Sequence, residues 1–128
     1  LAAIYCLSRI NLALLSEAGG GTPVGDQVTA RTWQIPAAGG FMLHEHTAEL
    51  ERYFAPGSET GVFNSPGDLA EKARWFLDHR EERLKVAAAG HRRCLDGGYT
   101  YLPAAREILT VHEELLKAPV LERCRTCG

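Results

Sequence analysis

The stretch Arg31-Thr32-Trp33-Gln34-Ile35-Pro36-Ala37-Ala38-Gly39-Gly40-Phe41-Met42-Leu43 decides the fold. An amphipathic run closes on small residues, a glycine pair stops it, and an apolar strand begins. This is a helix-to-strand junction of an open α/β sheet, and such sheets bind phosphorylated ligands outside the carboxyl ends of their strands. One of the two glycines is expected at φ > 0, where a residue without Cβ sits at no steric cost. Trp33 and Ile35-Pro36 read as core and helix-end residues.

Outward from that junction the chain alternates its elements. Ala2 to Leu7 reads as the last turns of a helix, and Asn11-Leu12-Ala13-Leu14-Leu15 suits a short buried parallel strand. Glu17 to Gln27, with Gly19-Gly20-Gly21 and Pro23, reads as a loop. It exceeds the usual strand-to-helix connection of roughly two to six residues, which marks it as functional. A helix is expected from about Val28 to Ala38, a strand over Phe41 to His44, a helix capped by Thr47 and running through Tyr53, and a third strand at Gly61-Val62-Phe63-Asn64. Ser65 as N-cap, Pro66 at the first helical position and Asp68 three residues after the cap open the next helix. Its Leu69, Ala73, Phe76 and Leu77 share one face at spacing i, i+4, i+7, i+8.

Two helices end the chain. One lies near Arg80 to Leu95 with Leu84, Ala88, His91 and Leu95 in register, and Asp96-Gly97-Gly98 stops it. The other lies near Tyr101 to Lys117 with Ala104, Ile108, Val111 and Leu115 in register. Three strands alternating with helices, then helices alone, describe the later half of a doubly wound α/β domain. The expectation is a three-layer, Rossmann-like partial domain with about three parallel strands. Because the sequence starts without Met inside a helical pattern, it reads as a domain from a longer protein.

A chain of 128 residues holds one domain, able to bury roughly two-thirds of its unfolded surface. Its 45% hydrophobic and 23% charged residues exclude disordered and fibrous classes. Fourteen Lys and Arg against sixteen Asp and Glu leave a formal net charge of −2, no footprint for nucleic acid or an acidic membrane surface. No apolar run approaches the roughly 20 residues of a bilayer span, and the start lacks the basic flank of a signal peptide. A soluble, cytoplasmic protein is expected.

Cys6, Cys94, Cys124 and Cys127 fit no disulfide framework for a domain of this size and read as reduced. Cys124-Arg125-Thr126-Cys127 has knuckle or redox spacing, but a structural zinc ion takes four ligands and no second such pair exists. His91 and Cys94 would have to complete the set from a helix. The plainer reading is a flexible tail over 119–128. His44-Glu45-His46 puts two imidazoles on one side of a strand end without a third ligand, so no metal is assigned. His44, at the carboxyl end of the middle strand, is instead a candidate for the ligand pocket.

Asp26-Gln27-Val28-Thr29-Ala30-Arg31-Thr32-Trp33-Gln34-Ile35-Pro36-Ala37-Ala38-Gly39-Gly40-Phe41-Met42-Leu43 resembles the core motif of group 1 glycosyltransferases, in their spore-maturation-protein (CgeB-like) branch. There an acidic or polar residue and Thr precede Arg-Ser/Thr-Phe-Glu-Ile-Pro-Ala-Cys-Gly-Gly-Phe-Leu/Met-Leu. Ser8-Arg9-Ile10-Asn11-Leu12 is similar to the family's Ser-Lys-Ile-Asn-Leu, Glu59-Thr60-Gly61-Val62-Phe63 to a later acidic-strand segment, and Ala88-Ala89-Gly90-His91-Arg92-Arg93 to its Ala-x-Ala-Gly-x-x-Arg helix. The likeness runs to about Leu116.

The resemblance implies a GT-B enzyme, in which two Rossmann-like domains face each other and the carboxyl-terminal one holds a nucleotide-sugar. Residues 1–118 would be most of that donor-binding domain, and the acceptor domain would lie outside this chain. By resemblance the donor is a uridine or guanosine diphosphate sugar, the acceptor is unknown, anomeric configuration is retained and no cofactor is needed. Alone, these residues would bind donor weakly and catalyse nothing, so the catalytic group is not assigned.

The substrate-binding candidates are Asp26, Thr29, Arg31, Gln34, His44 and Arg9. A helix starting near Val28 points free N–H groups and a positive dipole end at a diphosphate. Arg31 adds a bidentate clamp, or else is a solvated residue or a partner for Asp26. Gln34 stands where the family has a ribose-binding Glu; an amide cannot make two charge-assisted bonds, which weakens donor affinity by roughly 1–2 kcal/mol. An outward-facing Gln without a ligand would look the same. Asp26, at the family's acidic spacing before Gln34, could accept from sugar hydroxyls. Arg9 could reach a phosphate from its helix end or be a surface cation. The alternatives are a non-catalytic binding or scaffold module descended from such a domain, and an unrelated small α/β phosphate-binding domain.

Overall fold

In a computed structural model of the chain, residues 1–15, 26–99 and 101–117 are described. Most of the expected glycine-rich loop and the tail, with Cys124 and Cys127, lie outside the described residues. Two compact units divide the chain after Gly97.

The first unit is built on three parallel strands, β1 (Asn11–Ala13), β2 (Met42–Glu45) and β3 (Gly61–Phe63), in the order β1-β2-β3. Register pairs Leu12 with Leu43 and Ala13 with His44, then His44 with Val62. Helix α1 (Ala2–Leu7) precedes β1, α2 (Ala30–Ala37) leads into β2, and α3 (Pro66–Asp78) and α4 (Arg80–Asp96) follow β3. The α/β class and the parallel sheet are those expected. The helix expected after Thr47 is only a 3-10 turn at Leu50–Arg52 with Glu49, not Thr47, as its N-cap; Thr47 Oγ1 accepts from Leu50 N–H at 3.1 Å from outside the turn.

Alternation along β2 sorts the two faces. His44 bonds to Thr32 of α2, whereas Leu43, one residue earlier and so on the other side, joins Phe41, Phe63, Phe76, Val86 and Ala87 in the core beneath α3 and α4. Helices therefore cover both faces, giving three layers. On the α2 side, Trp33 meets Tyr53 edge-on at 4.7 Å between ring centroids.

Two further sequence expectations fail, each for one reason. The strand expected to be buried over Asn11–Leu15 shortens to three residues, with Leu12 about two-fifths exposed, because β1 is one of the two outer strands among the described residues. In α4 the buried face is Arg83, Val86, Ala87, Gly90 and Cys94, while Leu84 and Leu95 of the expected face are exposed. This helix starts under α3 and ends against α2, where His91 Nδ1 donates to Pro36 O at 3.0 Å. Close approach to two partners selects the small residues Ala87 and Gly90 rather than the leucine stripe.

The junctions follow their local chemistry. Gly39 ends α2 at φ +76°, as the glycine pair required. Asn11 is buried, and its amide donates to Tyr5 O at 2.9 Å and Phe41 O at 3.1 Å, tying the end of α1 to the start of β2. Ser65 Oγ accepts from Asp68 N–H and Asp68 accepts from Asn64 N–H, closing the α3 cap. Gly98, in the left-handed region at φ +64°, follows the end of α4 and opens the second unit. That unit contains helix α5 (Tyr101–Lys117). No described helix is long and apolar enough to cross a membrane.

Candidate functional site

The carboxyl ends of the strands, with the amino end of α2 beside them, form the candidate site. Thr29 takes an extended N-cap conformation, and its backbone N–H donates to Thr32 Oγ1 at 3.0 Å. Thr32 Oγ1 lies 2.8 Å from His44 Nε2, and His44 Nδ1 faces the carbonyl oxygen of Glu45. A carbonyl only accepts, so Nδ1 carries the ring proton and Nε2 accepts from the Thr32 hydroxyl. The chain Thr29 N–H, Thr32 Oγ1–H, His44 Nε2 thereby uses every donor once.

His44 and Thr32 are both fully buried. Burial pushes the His44 pKa below its ordinary value of 6.5, against the bond to Glu45 O and the Glu45 charge, which raise it; the Arg31 charge lowers it further. A neutral imidazole with both nitrogens engaged is a brace, not a ligand contact. His44, expected at the pocket, is thus buried behind the first turn of α2 and bonded to Thr32.

Arg31 is exposed in the first turn of α2, and its Nη2 donates to Leu14 O at 2.9 Å, just past β1. The guanidinium thus spans from the helix start to the strand end. Thr29 Oγ1 is buried and has no hydrogen-bond partner among the described residues. The Thr32 N–H that faces it, in the manner of a capping box, is already engaged by Thr29 O at 3.0 Å. An unsatisfied buried hydroxyl costs about 1–3 kcal/mol, so a partner at this turn would be favourable. Asp26 is exposed and leads into the helix, and Thr47 Oγ1 holds the intervening Gln27 O at 2.9 Å.

The last two candidates lie beyond that first turn. Gln34 is exposed one turn along α2, in a groove of about 350 Å³ that it lines with Leu1, Ala2, Tyr5, Ala37 and Ala38. Arg9 precedes β1 and shares a cavity with Gly39 and Phe41, which precede β2. That is the amino end of the sheet, opposite to Arg31, so Arg9 is separated from the other candidates by the length of the strands.

Glu45 was not singled out as a binding residue by the sequence. Standing next to His44 on β2, it faces the other side of the sheet and accepts from Leu15 N–H at 3.3 Å. It lines a cavity of about 340 Å³ with Leu14, Phe63, Asn64, Ser65, Pro66 and Leu69, at the carboxyl ends of all three strands. Period-two alternation from His44 is the sequence signal that points to it. His46 is engaged by Glu51 Oε1 at 2.6 Å. Among the described residues no group of three His, Cys, Asp or Glu side chains could hold a metal ion.

A site at the carboxyl ends of a parallel sheet, beside a helix amino end with an arginine in its first turn, is organised for an anionic ligand. No curated protein and no solved structure matches the chain significantly. A family model described as glycosyl transferase-like matches residues 1–110, most of the chain and all three strands of the sheet. The chain belongs to the glycosyl transferase-like family, whose reaction takes a sugar from a donor to an acceptor.

Proposed function

We propose that this chain is the donor-binding domain of a GT-B glycosyltransferase of the group 1 type, in its spore-maturation-protein branch, and holds a uridine or guanosine diphosphate sugar at the carboxyl ends of its strands. The observation that carries this reading is the buried Thr29 hydroxyl, without a hydrogen-bond partner among the described residues, in the same helical turn as the exposed Arg31 guanidinium. A diphosphate oxygen at this turn satisfies Thr29 Oγ1, accepts from the free N–H groups of α2 and pairs with Arg31. Asp26 accepts from sugar hydroxyls, and Gln34 contacts the ribose along the same helix.

The cavity at Glu45 begins at Leu14, the residue whose carbonyl Arg31 holds. A group carried on the diphosphate therefore has a half-open cleft beside it with one carboxylate in the wall. In this reading the acceptor domain and the group that activates the acceptor belong to another part of the protein, whose cytoplasmic location goes with a soluble donor.

Isothermal titration of the chain with uridine and guanosine diphosphates tests the proposal. Saturable binding of one base over the other is expected at micromolar to millimolar affinity, and Arg31→Gln should weaken it by about tenfold or more, the worth of a charge-assisted bond. Absence of binding by both nucleotides, with the chain folded, would overturn it.

A further inference from the structure

At the amino end of the sheet, remote from Arg31 and Glu45, lies a cavity of about 220 Å³ lined by Cys6, Leu7, Ser8, Arg9, Gly39, Phe41, Arg80, Arg83, Leu84 and Ala87. Three of these residues are arginines, none is acidic, and each arginine comes from a different position: Arg9 from the turn before β1, Arg80 from the first residue of α4, Arg83 from one turn further along. Arg83 is only 7% exposed. Its Nη1 donates to Phe76 O and Leu77 O, the last-turn carbonyls of α3.

No carboxylate of the described residues pairs with any of the three; the ion pairs of the first unit involve other cations. The carboxyl end of α3 supplies only about half a negative charge. A buried guanidinium without a full counter-charge is expensive, and two more cations beside it raise that cost. Three guanidiniums against about half a charge leave the cavity strongly positive, so it favours a multiply charged anion over a singly charged one. A phosphomonoester or inorganic phosphate carries about −1.5 to −2 near neutral pH, whereas a carboxylate carries one. The volume lies below the roughly 300 Å³ at which sites for drug-sized ligands begin, so the occupant is small. Buried Phe41 and Ala87 form the floor beside Arg83, while Leu7, Leu84, Arg9 and Arg80 stand at the exposed rim.

We propose that Arg9, Arg80 and Arg83 form a phosphate-binding site at the amino end of the sheet, distinct from the donor site at its carboxyl end. Arg83 is held in place by the α3 carbonyls and contributes its remaining N–H groups, while Arg9 and Arg80 close over the ligand from the exposed rim. The phosphate comes either free or as the phosphoryl group of a small ester. Because the cavity joins the starts of β1, β2 and α4, occupancy stabilises the folded chain by mass action.

The test is a nuclear magnetic resonance titration of the whole chain, following the arginine Nε–Hε signals at constant ionic strength. Inorganic phosphate, phenyl phosphate and acetate are the three probes. Saturable shifts of the Arg9, Arg80 and Arg83 signals with a phosphate probe, with acetate weaker, are expected. Arg9→Gln and Arg80→Gln, both at exposed positions, should each weaken binding by about tenfold. Arg31→Gln should leave these shifts unchanged, which separates this site from the donor site. Saturation by inorganic phosphate assigns a free anion, and saturation by phenyl phosphate alone assigns an ester. The proposal is overturned by shifts that stay linear through roughly ten-millimolar probe, by acetate binding equally well, by unchanged affinity in both variants, or by loss of the shifts in Arg31→Gln.

Discussion

Thr32 Oγ1 and His44 Nε2, 2.8 Å apart and both without solvent exposure, join the first turn of α2 to the carboxyl end of β2. Thr32 follows Arg31 directly, so this buried bond fixes the orientation of the turn that presents the guanidinium. Its partners are also fixed in direction, since the Glu45 carbonyl sets the His44 tautomer and the Thr29 N–H occupies a lone pair of Thr32 Oγ1. The braced part of the candidate site is thus behind the surface, and the exposed Arg31 turn rests on it.

Thr32→Val removes the hydroxyl while keeping the shape, leaving His44 Nε2 and the Thr29 N–H without their partner. A loss of about 1–3 kcal/mol in urea unfolding is expected, with Thr32→Ser recovering much of it. Equal stability of the valine and wild-type chains would show that the bond contributes nothing.

The lowered pKa of His44 gives stability a pH dependence of definite sign. Above its unfolded-state value of 6.5 the ring is neutral in both states and adds no slope. As pH falls below that, the unfolded chain takes up a proton that the folded chain resists, so stability drops by up to about 1.4 kcal/mol per pH unit until the folded pKa is reached. Urea midpoints between pH 7.5 and 5 should fall more steeply for wild type than for His44→Asn. Parallel curves would remove His44 as the source.

Gln34→Glu is expected to raise nucleotide affinity by roughly tenfold, since a carboxylate accepts two charge-assisted bonds from the ribose where the amide accepts one. The side chain is exposed, so folding should be unaffected. A 2′-deoxynucleotide is the control: the gain should shrink with it. If it does not, Gln34 is not at the ribose.

Elements with a local signature were legible in the sequence. The Ser65 cap, the stop at Gly39 and the helix Tyr101–Lys117 depend on neighbours within a few residues, and all are found where the sequence puts them. The three strands emerge within a residue or two because each is an apolar run between breakers. What periodicity could not decide was which neighbour an element meets. The buried face of α4 is set by a helix crossing, the exposure of Leu12 by the position of β1 at the outside of the sheet, and the burial of Arg83 by the end of α3. Arg9, just before β1 in the chain, stands at the amino end of the sheet by chain order alone; its neighbours there, Arg80 and Arg83, come from a helix that the sequence could not bring to it.

Gly90 lies in the family-like Ala88-Ala89-Gly90-His91-Arg92-Arg93 segment, where the carbonyl of Glu59 approaches the helix so closely that a Cβ would collide with it. Replacing glycine by alanine in a helix normally gains up to about 1 kcal/mol. Here overpacking against backbone costs about 1–3 kcal/mol and should win, so Gly90→Ala lowers the melting temperature. A rise in melting temperature would mean that α4 and the segment before β3 can separate freely.

Cys94 is buried on the same face of α4 as Val86, Ala87 and Gly90, and its thiol is pushed up to about 11, first by loss of solvation and then by the nearby Glu59 charge. Only the thiolate is alkylated, and at pH 9 a thiol of that pKa is about 1% ionised, against half for an unperturbed one at 9.0. Exposed Cys6 has no such protection from burial. Iodoacetamide at pH 9 followed by peptide mass mapping should therefore modify Cys6 at least tenfold faster than Cys94, with the difference vanishing in urea. Similar rates in the folded chain would show that α4 opens readily and that the core it covers is not closed.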